Sequence, residues 1–140
     1  MKIYFAASIR GGRKDQEKYY DLINFISTKA EVLTEHVGSE SLQDLGESKL
    51  TDIEIYQRDM EWLESADAVI AEVTTPSLGV GYELGVAEKL NKPIFCLFDQ
   101  RNQEQCLSAM MAGNSKFKNF SYQSIDQAKQ KIAEFLSHAL

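Results

Sequence analysis

The sequence contains little cysteine and histidine and no excess of positive charge. Its 140 residues include two cysteines and two histidines, and 21 acidic residues outnumber 15 lysines and arginines. Cys96 and Cys106 form no CxxC pair, and neither His36 nor His138 stands in a group with metal-ligand spacing. We therefore expect reduced cysteines that fill core space, and no metal ion.

The net charge of −6 argues against a broad basic face of the kind that binds nucleic-acid phosphates. No apolar run approaches the roughly 20 residues of a membrane span, and no long apolar segment follows Met1. These absences predict a cytoplasmic protein that acts on a small molecule, without a nucleic-acid polymer or a membrane as partner.

What the sequence does contain is an alternation of continuous apolar runs with amphipathic stretches. This alternation is typical of an α/β protein whose parallel sheet carries helices on both faces, and the length is that of one domain, residues 1–140. Predicted strands cover residues 2–7, 31–34, 68–73, 93–98 and 117–122, and predicted helices cover residues 13–29, 51–65, 79–90, 104–112 and 124–139. Thr51 with Glu54, and Ser124 with Gln127, are capping-box pairs.

Five parallel strands most simply form a flavodoxin-like (Rossmann-like) sheet in the order 2-1-3-4-5. Ligands of such sheets bind beyond the carboxyl ends of the strands, where the strand order reverses. The loops after strands 1 and 3 should therefore carry the chemistry. The polar residues 38–49 are predicted to form a long loop, of a length that is usually functional or mobile.

The loop after strand 1 combines a hydroxyl group, arginines and glycines: Ser8, Ile9, Arg10, Gly11, Gly12 and Arg13. Glycines let backbone N–H groups approach an anion, and an arginine can donate two parallel hydrogen bonds, so the loop predicts a phosphate site. A simple turn with solvated arginines is the alternative. The loop is neither a Walker loop nor a GxGxxG dinucleotide fingerprint.

Two carboxylates have only apolar or glycine neighbours at the helix positions that are in contact. These neighbours are Ile55, Tyr56, Trp62 and Leu63 for Asp59, and Gly79, Val80, Val86 and Ala87 for Glu83. Carboxylates that cannot easily reach water are candidates for catalysis, so we expect an enzyme. The alternatives are a structural aspartate that holds a loop and a glutamate that only stabilises its helix.

Other residues are weaker candidates. Tyr4 lies on the same face of strand 1 as Ser8, so its hydroxyl could reach the same pocket, with a core position as the alternative. Glu72, at the end of strand 3, is expected to meet solvent. The apolar residues of the helix at 51–65 are expected to mark its buried face: Ile53, Tyr56, Met60 and Leu63.

Six segments, spread over nearly the whole chain, resemble a known family. They are YFAASIRGGR (4–13), LTEHV (33–37), DMEWL (59–63), AEVTTPSLGVGYELG (71–85), CLF (96–98) and LSAM (107–110). In this order they resemble the 2'-deoxynucleoside 5'-monophosphate N-glycosidases of the nucleoside 2-deoxyribosyltransferase superfamily. The resemblance implies a flavodoxin-like homodimer that hydrolyses the bond between base and deoxyribose of a deoxynucleotide without a cofactor.

The same resemblance implies residue roles. Glu83 would be the nucleophile, with Asp59 and Tyr4 as its partners on the sugar side. The phosphate side would comprise Ser8, Arg10, Gly12 and Ser77, and Ser108 would be contributed across the dimer interface. Ile9, Gly11, Gly79 and Met110 complete the predicted substrate-binding set. Ala7 and Thr75 stand where glycine and glutamine are usual in the family, which bears on base preference more than on the reaction.

Three other functions remain open on the sequence. A nucleoside 2-deoxyribosyltransferase would pass the sugar to another base; Ser77 and Ser108, in place of acidic and amide residues, argue against it, as does the phosphate-like first loop. A ribonucleotide N-hydrolase would keep the reaction and change the sugar. A non-catalytic flavodoxin-like module would hold FMN or a signalling nucleotide, and bound flavin would make the protein yellow.

Overall fold

The computed structural model describes residues 1–9, 13–34, 37, 50–101, 104 and 106–139. In chain order these form β1 (Lys2–Ala7), α1 (Arg13–Ser27), β2 (Glu31–Val32), α2 (Asp52–Ser65), β3 (Ala68–Glu72), α3 (Leu78–Lys89), β4 (Ile94–Asp99), α4 (Ala109–Ala112), β5 (Phe117–Tyr122) and α5 (Ile125–His138). The loop predicted at 38–49 lies outside the described residues. None of the helices that the described residues form is long and apolar enough to cross a membrane.

The five strands form one parallel sheet in the order β2-β1-β3-β4-β5. This is the predicted flavodoxin-like α/β arrangement. The register places Ala7 beside Glu72, and Glu72 beside Leu97. The loops that follow β1 and β3 therefore leave the same edge of the sheet as neighbours.

Successive residues of β1 belong to two different hydrophobic cores, because side chains alternate between the faces of a strand. Ile3 and Phe5 pack in the core that contains residues of α1 and α5, whereas Tyr4 and Ala6 pack in the core that contains residues of α2 and α3. Helices thus cover both faces of the sheet. Tyr4 faces the two helices that carry Asp59 and Glu83.

Most elements agree with their predicted bounds to within two residues, but two are much shorter in the structure. β2 ends at Val32 because the Thr34 hydroxyl takes over the pairing with β1: the Phe5 N–H donates to Thr34 Oγ1 at 2.8 Å, and Thr34 Oγ1 donates to the Phe5 carbonyl at 2.6 Å. The helix predicted at 104–112 is wrong except for its last turn, α4 (Ala109–Ala112), which starts after a Ser108 cap whose Oγ accepts from the Met110 N–H at 3.3 Å.

The cysteine and capping predictions have mixed outcomes. Cys96 is buried in the core as expected, but Cys106 is exposed and precedes α4 instead of filling core space. The capping box of Thr51 and Glu54 is present in full. Ser124 caps α5 as predicted, whereas the Gln127 side chain accepts from the Gln123 N–H, one residue before the cap.

Candidate active site

A cavity of about 250 Å³ lies between α2 and α3 on the Tyr4 side of the sheet. Asp52, Ile55, Tyr56, Asp59, Met60, Gly79, Tyr82 and Glu83 line it. Both predicted catalytic carboxylates therefore contribute to one cavity. Its remaining walls are mostly apolar or aromatic, which suits a small ligand with a planar base.

Glu83 has a raised pKa. Burial of the side chain and, to a smaller extent, the negative charge of Asp59 together raise the pKa of Glu83 from its ordinary value of 4.5 to about 7. A hydrogen bond from the Tyr4 hydroxyl opposes both effects because it stabilises the ionised carboxylate. The carboxyl group of Glu83 therefore titrates at a higher pH than that of an exposed glutamate.

Tyr4 is almost completely buried beneath this cavity. Burial, followed by the charges of Glu83 and Asp59, raises the pKa of Tyr4 well above its ordinary value of 10. The phenol therefore keeps its proton and acts as a hydrogen-bond donor to Glu83. This hydrogen bond explains why a residue with a polar hydroxyl group occupies a core position of β1.

Asp59 is paired with a cation that the helical-neighbour argument overlooked. Arg58 Nε and Nη2 each lie 2.9 Å from Asp59 Oδ1, and the Arg58 guanidinium lies over the Trp62 ring at 4.8 Å from its centroid. Adjacent helix residues do not face each other in general, so a count of i±3 and i±4 neighbours could not reveal this contact. The contact places a positive charge beside one of the two predicted catalytic carboxylates.

The outer part of α2 is less buried than predicted. Leu63 is fully buried, but Ile53 and Tyr56 are exposed. The Tyr56 ring packs at the cavity mouth against the Tyr82 ring, with centroids 6.4 Å apart. Tyr82 was not identified from the sequence, although it directly precedes Glu83.

Part of the predicted phosphate side is described. Ser8 is buried at the end of β1 and Ile9 is partly exposed, whereas Arg10, Gly11 and Gly12 lie outside the described residues. Ser77 caps α3, since its Oγ accepts from the Val80 N–H at 3.3 Å. That bond uses the oxygen as acceptor, so the hydroxyl hydrogen can still be directed at a ligand anion.

A larger groove of about 900 Å³ runs along α3 and includes the predicted residues Ser77, Ser108 and Met110. Leu78 and Met110 on this groove are 97% and 76% exposed. Tyr82 lines both the groove and the carboxylate cavity. Of the predicted residues, Asp59, Gly79 and Glu83 thus line the carboxylate cavity, whereas Ser77, Ser108 and Met110 line the groove.

Glu72 contradicts its prediction. Its side chain is completely buried instead of meeting solvent, and it accepts hydrogen bonds from Lys18 at 2.9 Å, from the Thr74 N–H at 2.7 Å and from the Tyr122 hydroxyl. The strand end is buried because α1 and β5 both supply polar partners there. No short-range sequence pattern could have revealed Lys18 or Tyr122 as those partners.

The carboxylate cavity can stabilise a transition state with positive charge. Cleavage of a glycosidic bond passes through an oxocarbenium-like state, which a neighbouring carboxylate stabilises or captures as a covalent intermediate. The pKa of Glu83 is raised to about 7, the Tyr4 hydroxyl donates a hydrogen bond to its carboxylate, and Asp59 lines the same cavity. This combination fits glycosyl transfer to water or to another acceptor.

Comparisons with known proteins agree with this chemistry. The sequence profile of the family described as nucleoside 2-deoxyribosyltransferase matches residues 3–120. The 5-hydroxymethyl-dUMP N-hydrolase of Tetraodon nigroviridis is 44% identical over 141 residues, 99% of this chain and 99% of that protein. The protein of the same name in Homo sapiens is 46% identical over 125 residues, 86% of this chain and 71% of that protein.

Two solved structures share the fold. The solution structure of BlsM matches with a TM-score of 0.77 and 22% identity, covering 99% of this chain and 90% of that one. The Clostridium botulinum CMP N-glycosidase BcmB matches with a TM-score of 0.68 and 19% identity, covering 96% and 99%. At such identities the likeness concerns the fold alone.

Proposed function

Because the chain belongs to the nucleoside 2-deoxyribosyltransferase family, we propose that it hydrolyses the N-glycosidic bond of 2'-deoxynucleoside 5'-monophosphates. The products are the free base and 2-deoxyribose 5-phosphate. The observation that carries the proposal is the cavity in which Glu83, with a pKa of about 7, lies beside Asp59 and accepts a hydrogen bond from Tyr4. No cofactor enters the reaction.

Glu83 acts as the nucleophile in this proposal. Its carboxylate attacks C1' of the sugar while the bond from C1' to the base nitrogen breaks, and the base leaves with the electron pair of that bond and takes up a proton. Water then attacks C1' and the ester bond to Glu83 breaks, which returns the electron pair to the carboxylate. The proton released from this water balances the one that the base took up.

Asp59 and Tyr4 assist on the sugar side. Arg58 Nη2 lies 2.9 Å from Asp59 Oδ1, and an ion-paired carboxylate suits a role in accepting a hydrogen bond from the sugar and stabilising its positive charge. Tyr4 holds the Glu83 carboxylate by its hydrogen bond. A 2'-hydroxyl would withdraw electrons from the forming cation and add bulk, which rationalises a preference for deoxyribose.

The phosphate group is bound by the loops after β1 and β3. Ser8 and Ser77 offer hydroxyl donors, and Arg10, Gly11 and Gly12 supply a cation and backbone N–H groups by the sequence argument. Ile9, Gly79 and Met110 complete the walls around the nucleotide. Net negative charge on the protein makes this local cation important, because the substrate is itself an anion.

The proposal includes a homodimer. An isolated chain exposes Leu78 and Met110 on a groove of about 900 Å³, and exposed apolar patches of this kind are typical of interaction surfaces. A second copy that covers the groove would bring its Ser108 to the phosphate side of this chain. The proposal also keeps a cytoplasmic location, because a phosphorylated substrate does not cross membranes unaided.

The relatives suggest the base to be tested first. Two of them are named 5-hydroxymethyl-dUMP N-hydrolases and are 44% and 46% identical to this chain. We extend that substrate to this protein as part of the proposal. The hydroxymethyl group would lie against the mixed wall of Tyr56 and Tyr82, where an apolar ring and a hydroxyl are both available.

The test is a measurement of free-base release. The substrates are 5-hydroxymethyl-dUMP, the four normal deoxynucleoside monophosphates, CMP as a ribonucleotide, and unphosphorylated deoxynucleosides, each with and without a second free base. The proposal expects base release from deoxynucleoside monophosphates without an acceptor. Activity that requires a second base would make the protein a transferase. Activity on CMP alone would mean that the sugar of the substrate is ribose and not deoxyribose.

A further inference from the structure

A second cluster of charged side chains lies on the opposite face of the sheet, at the carboxyl ends of β3 and β4. Its centre is the buried Glu72, 2.9 Å from Lys18 Nζ. Lys18 also lies 3.6 Å from Asp15 and 3.8 Å from Asp99, and Arg101 contacts Asp99 with two nitrogens at 2.9 Å each. None of these residues takes part in the proposed chemistry.

This cluster holds the loop after β3 at three points. Glu72 accepts from the Thr74 backbone N–H at 2.7 Å, and the Asp99 N–H donates to Thr74 Oγ1 at 2.8 Å. The third point is a hydrogen bond of 2.9 Å from the Thr75 hydroxyl to Asp15. Because Asp15 lies in the first turn of α1, the third contact joins two segments that are 60 residues apart in sequence.

The two segments joined in this way carry the phosphate side of the proposed site. The first turn of α1 follows the loop that begins at Ser8, and the loop after β3 runs from Thr75 to the Ser77 cap of α3. Loss of the Thr75–Asp15 bond would free the start of α1 from the loop that ends in Ser77. The contact from Thr75 to Asp15 is a side-chain link between them.

The charges of the cluster argue against direct phosphate binding. Within the described residues named above, three carboxylates face two cations, Lys18 and Arg101. A group with this balance does not attract an anion. Buried ion pairs also contribute little net stability compared with apolar side chains of similar volume. With phosphate binding and net stability set aside, the role left for the cluster is to fix the positions of the two loops.

We propose that Asp15 and Thr75 are positioning residues for phosphate recognition, whose hydrogen bond holds the first turn of α1 against the loop that ends in Ser77. Lys18 lies 3.6 Å from Asp15 and 2.9 Å from the buried Glu72, so these ion pairs hold Asp15 in place for the bond. The inference rests on the proposed function, since the phosphate in question is that of the deoxynucleotide. It goes beyond that function by assigning a role to residues that do not touch the substrate.

The main variant is Thr75→Val, which keeps the shape of the side chain and removes the hydroxyl donor. We expect KM for a deoxynucleoside monophosphate to rise about tenfold, because the bond holds the Ser77 loop in its binding position and its loss can transmit at most the free energy of one hydrogen bond to a charged acceptor. The kcat should stay within about twofold of wild type because the lost binding is uniform. Thr75→Ser should restore KM. The matched control is Thr28→Val, which removes a hydroxyl bond of 2.6 Å to the Phe25 carbonyl at the other end of α1.

Unphosphorylated deoxynucleosides distinguish positioning from contact with the base. Thr75→Val should leave their kcat/KM unchanged, whereas a base-contacting Thr75 would affect both substrate classes. A structural role alone would lower the melting temperature and kcat without a selective rise in KM. Either result would overturn the inference.

A coupling experiment tests the pair itself. If Thr75 acts through Asp15, the rise in KM caused by Thr75→Val should disappear in an Asp15→Ala background, because the bond is already absent there. Additive effects would contradict the pairing. Calorimetric binding of 2-deoxyribose 5-phosphate to wild type and Thr75→Val provides a readout independent of turnover, with about tenfold weaker binding expected in the variant.

The two hypotheses fail in different ways. A wild-type protein that releases no base from deoxynucleotides would refute the proposed function, while calorimetry would still decide the positioning role. A wild type that hydrolyses deoxynucleotides, with Thr75→Val binding 2-deoxyribose 5-phosphate equally well, would refute the positioning role alone. A wild type that does not bind this phosphate ester would also refute it.

Discussion

The hydroxyl group of Tyr4, on a central strand, donates a hydrogen bond to the carboxylate of Glu83 on α3. Burial and the charge of Asp59 raise the pKa of Glu83, and the Tyr4 bond lowers it. The titration of the proposed nucleophile is therefore set by burial and by two neighbours on different elements, Tyr4 on β1 and Asp59 on α2. Each of them can be changed separately.

The pH dependence of catalysis should follow Glu83. Because the attacking form is the carboxylate, kcat/KM should rise with pH through about 7, where Glu83 titrates in the empty site. Tyr4→Phe removes the donor that stabilises this carboxylate, so the acid limb of the profile should move to higher pH. The measurement is kcat/KM between pH 5 and 9, a range chosen to bracket this titration.

Tyr19→Phe is the matched control for that shift. Tyr19 is equally buried but packs in the core on the other face of the sheet, against Phe5 at 6.3 Å between ring centroids. Removal of the Tyr19 hydroxyl group should leave the acid limb of the kcat/KM profile at its wild-type pH. A profile for Tyr4→Phe that superimposes on the wild type would remove Tyr4 from the control of Glu83.

Glu83→Gln should abolish turnover while substrate binding persists. The amide keeps the shape and can still accept from Tyr4, but it lacks the nucleophilic charge, and loss of an essential nucleophile costs at least ~10³-fold in rate. The comparison is Glu134→Gln on α5, where Glu134 pairs with Lys131 at 2.7 Å outside both the carboxylate cavity and the groove. Residual activity above a tenth of wild type in Glu83→Gln would exclude the nucleophilic role.

The same substitution should stabilise the fold at neutral pH. A pKa raised from 4.5 to about 7 means that the folded state binds the Glu83 proton more tightly than the unfolded state does. Wild-type stability contributed by this group is thus present at low pH and is lost as pH rises from about 4.5 to 7. Glu83→Gln does not titrate, so its advantage in free energy of unfolding should grow over this window to on the order of 3 kcal/mol. Chemical denaturation at pH 4.5 and pH 8 measures it; an advantage that is equal at both pH values would contradict the raised pKa.

The sheet could be predicted because its signals are local. Continuous apolar runs such as residues 68–73 indicate strands buried on both faces, and capping residues such as Thr51 mark where helices begin. The order of the strands is confirmed. The helix predicted at 104–112 was wrong outside its last turn, because residues 106–108 are not helical and the Ser108 hydroxyl caps a single turn, Ala109–Ala112.

The site was predictable only in part. Helical neighbours identified Asp59 and Glu83, and strand alternation identified Tyr4, and these three side chains interact through one cavity region. Their catalytic roles stay predictions. Contacts between residues adjacent in sequence, such as Arg58 with Asp59, or far apart, such as Lys18 with Glu72, carry no periodic signal. Burial of Glu72 could not be anticipated without knowing which helix covers it.

Removal of the Arg10 cation should weaken phosphate recognition more than removal of one hydroxyl. A charge-assisted contact is worth ~1.5–3 kcal/mol and a neutral hydrogen bond ~0.5–1.5 kcal/mol, so Arg10→Ala should lower kcat/KM for deoxynucleotides by roughly 10- to 150-fold, and Ser8→Ala by less. Arg10→Ala should also reduce the difference in kcat/KM between deoxynucleotides and unphosphorylated deoxynucleosides.

The control for Arg10 is Lys131→Ala, which removes a cation paired with Glu134 at 2.7 Å on α5. It should leave kcat/KM unchanged for both substrate classes. Equal kcat/KM for deoxynucleosides and their monophosphates in the wild type would overturn the phosphate assignment and favour the transferase.

Leu78→Asp should separate the proposed dimer. Leu78 is the most exposed of the large apolar side chains in the described residues, at 97%, and it lines the groove that also contains Ser108. A charge there would be buried without a partner if a second copy covers the groove, which costs several kcal/mol, so sedimentation should show a monomer. Because Ser108 of one copy would then no longer reach the other site, kcat/KM for nucleotides should fall together with the dimer fraction.

The control is Tyr20→Asp, at a 59% exposed position on α1. It should leave the dimer fraction and kcat/KM unchanged. A fully active monomer of the wild type at assay concentrations would refute the shared site.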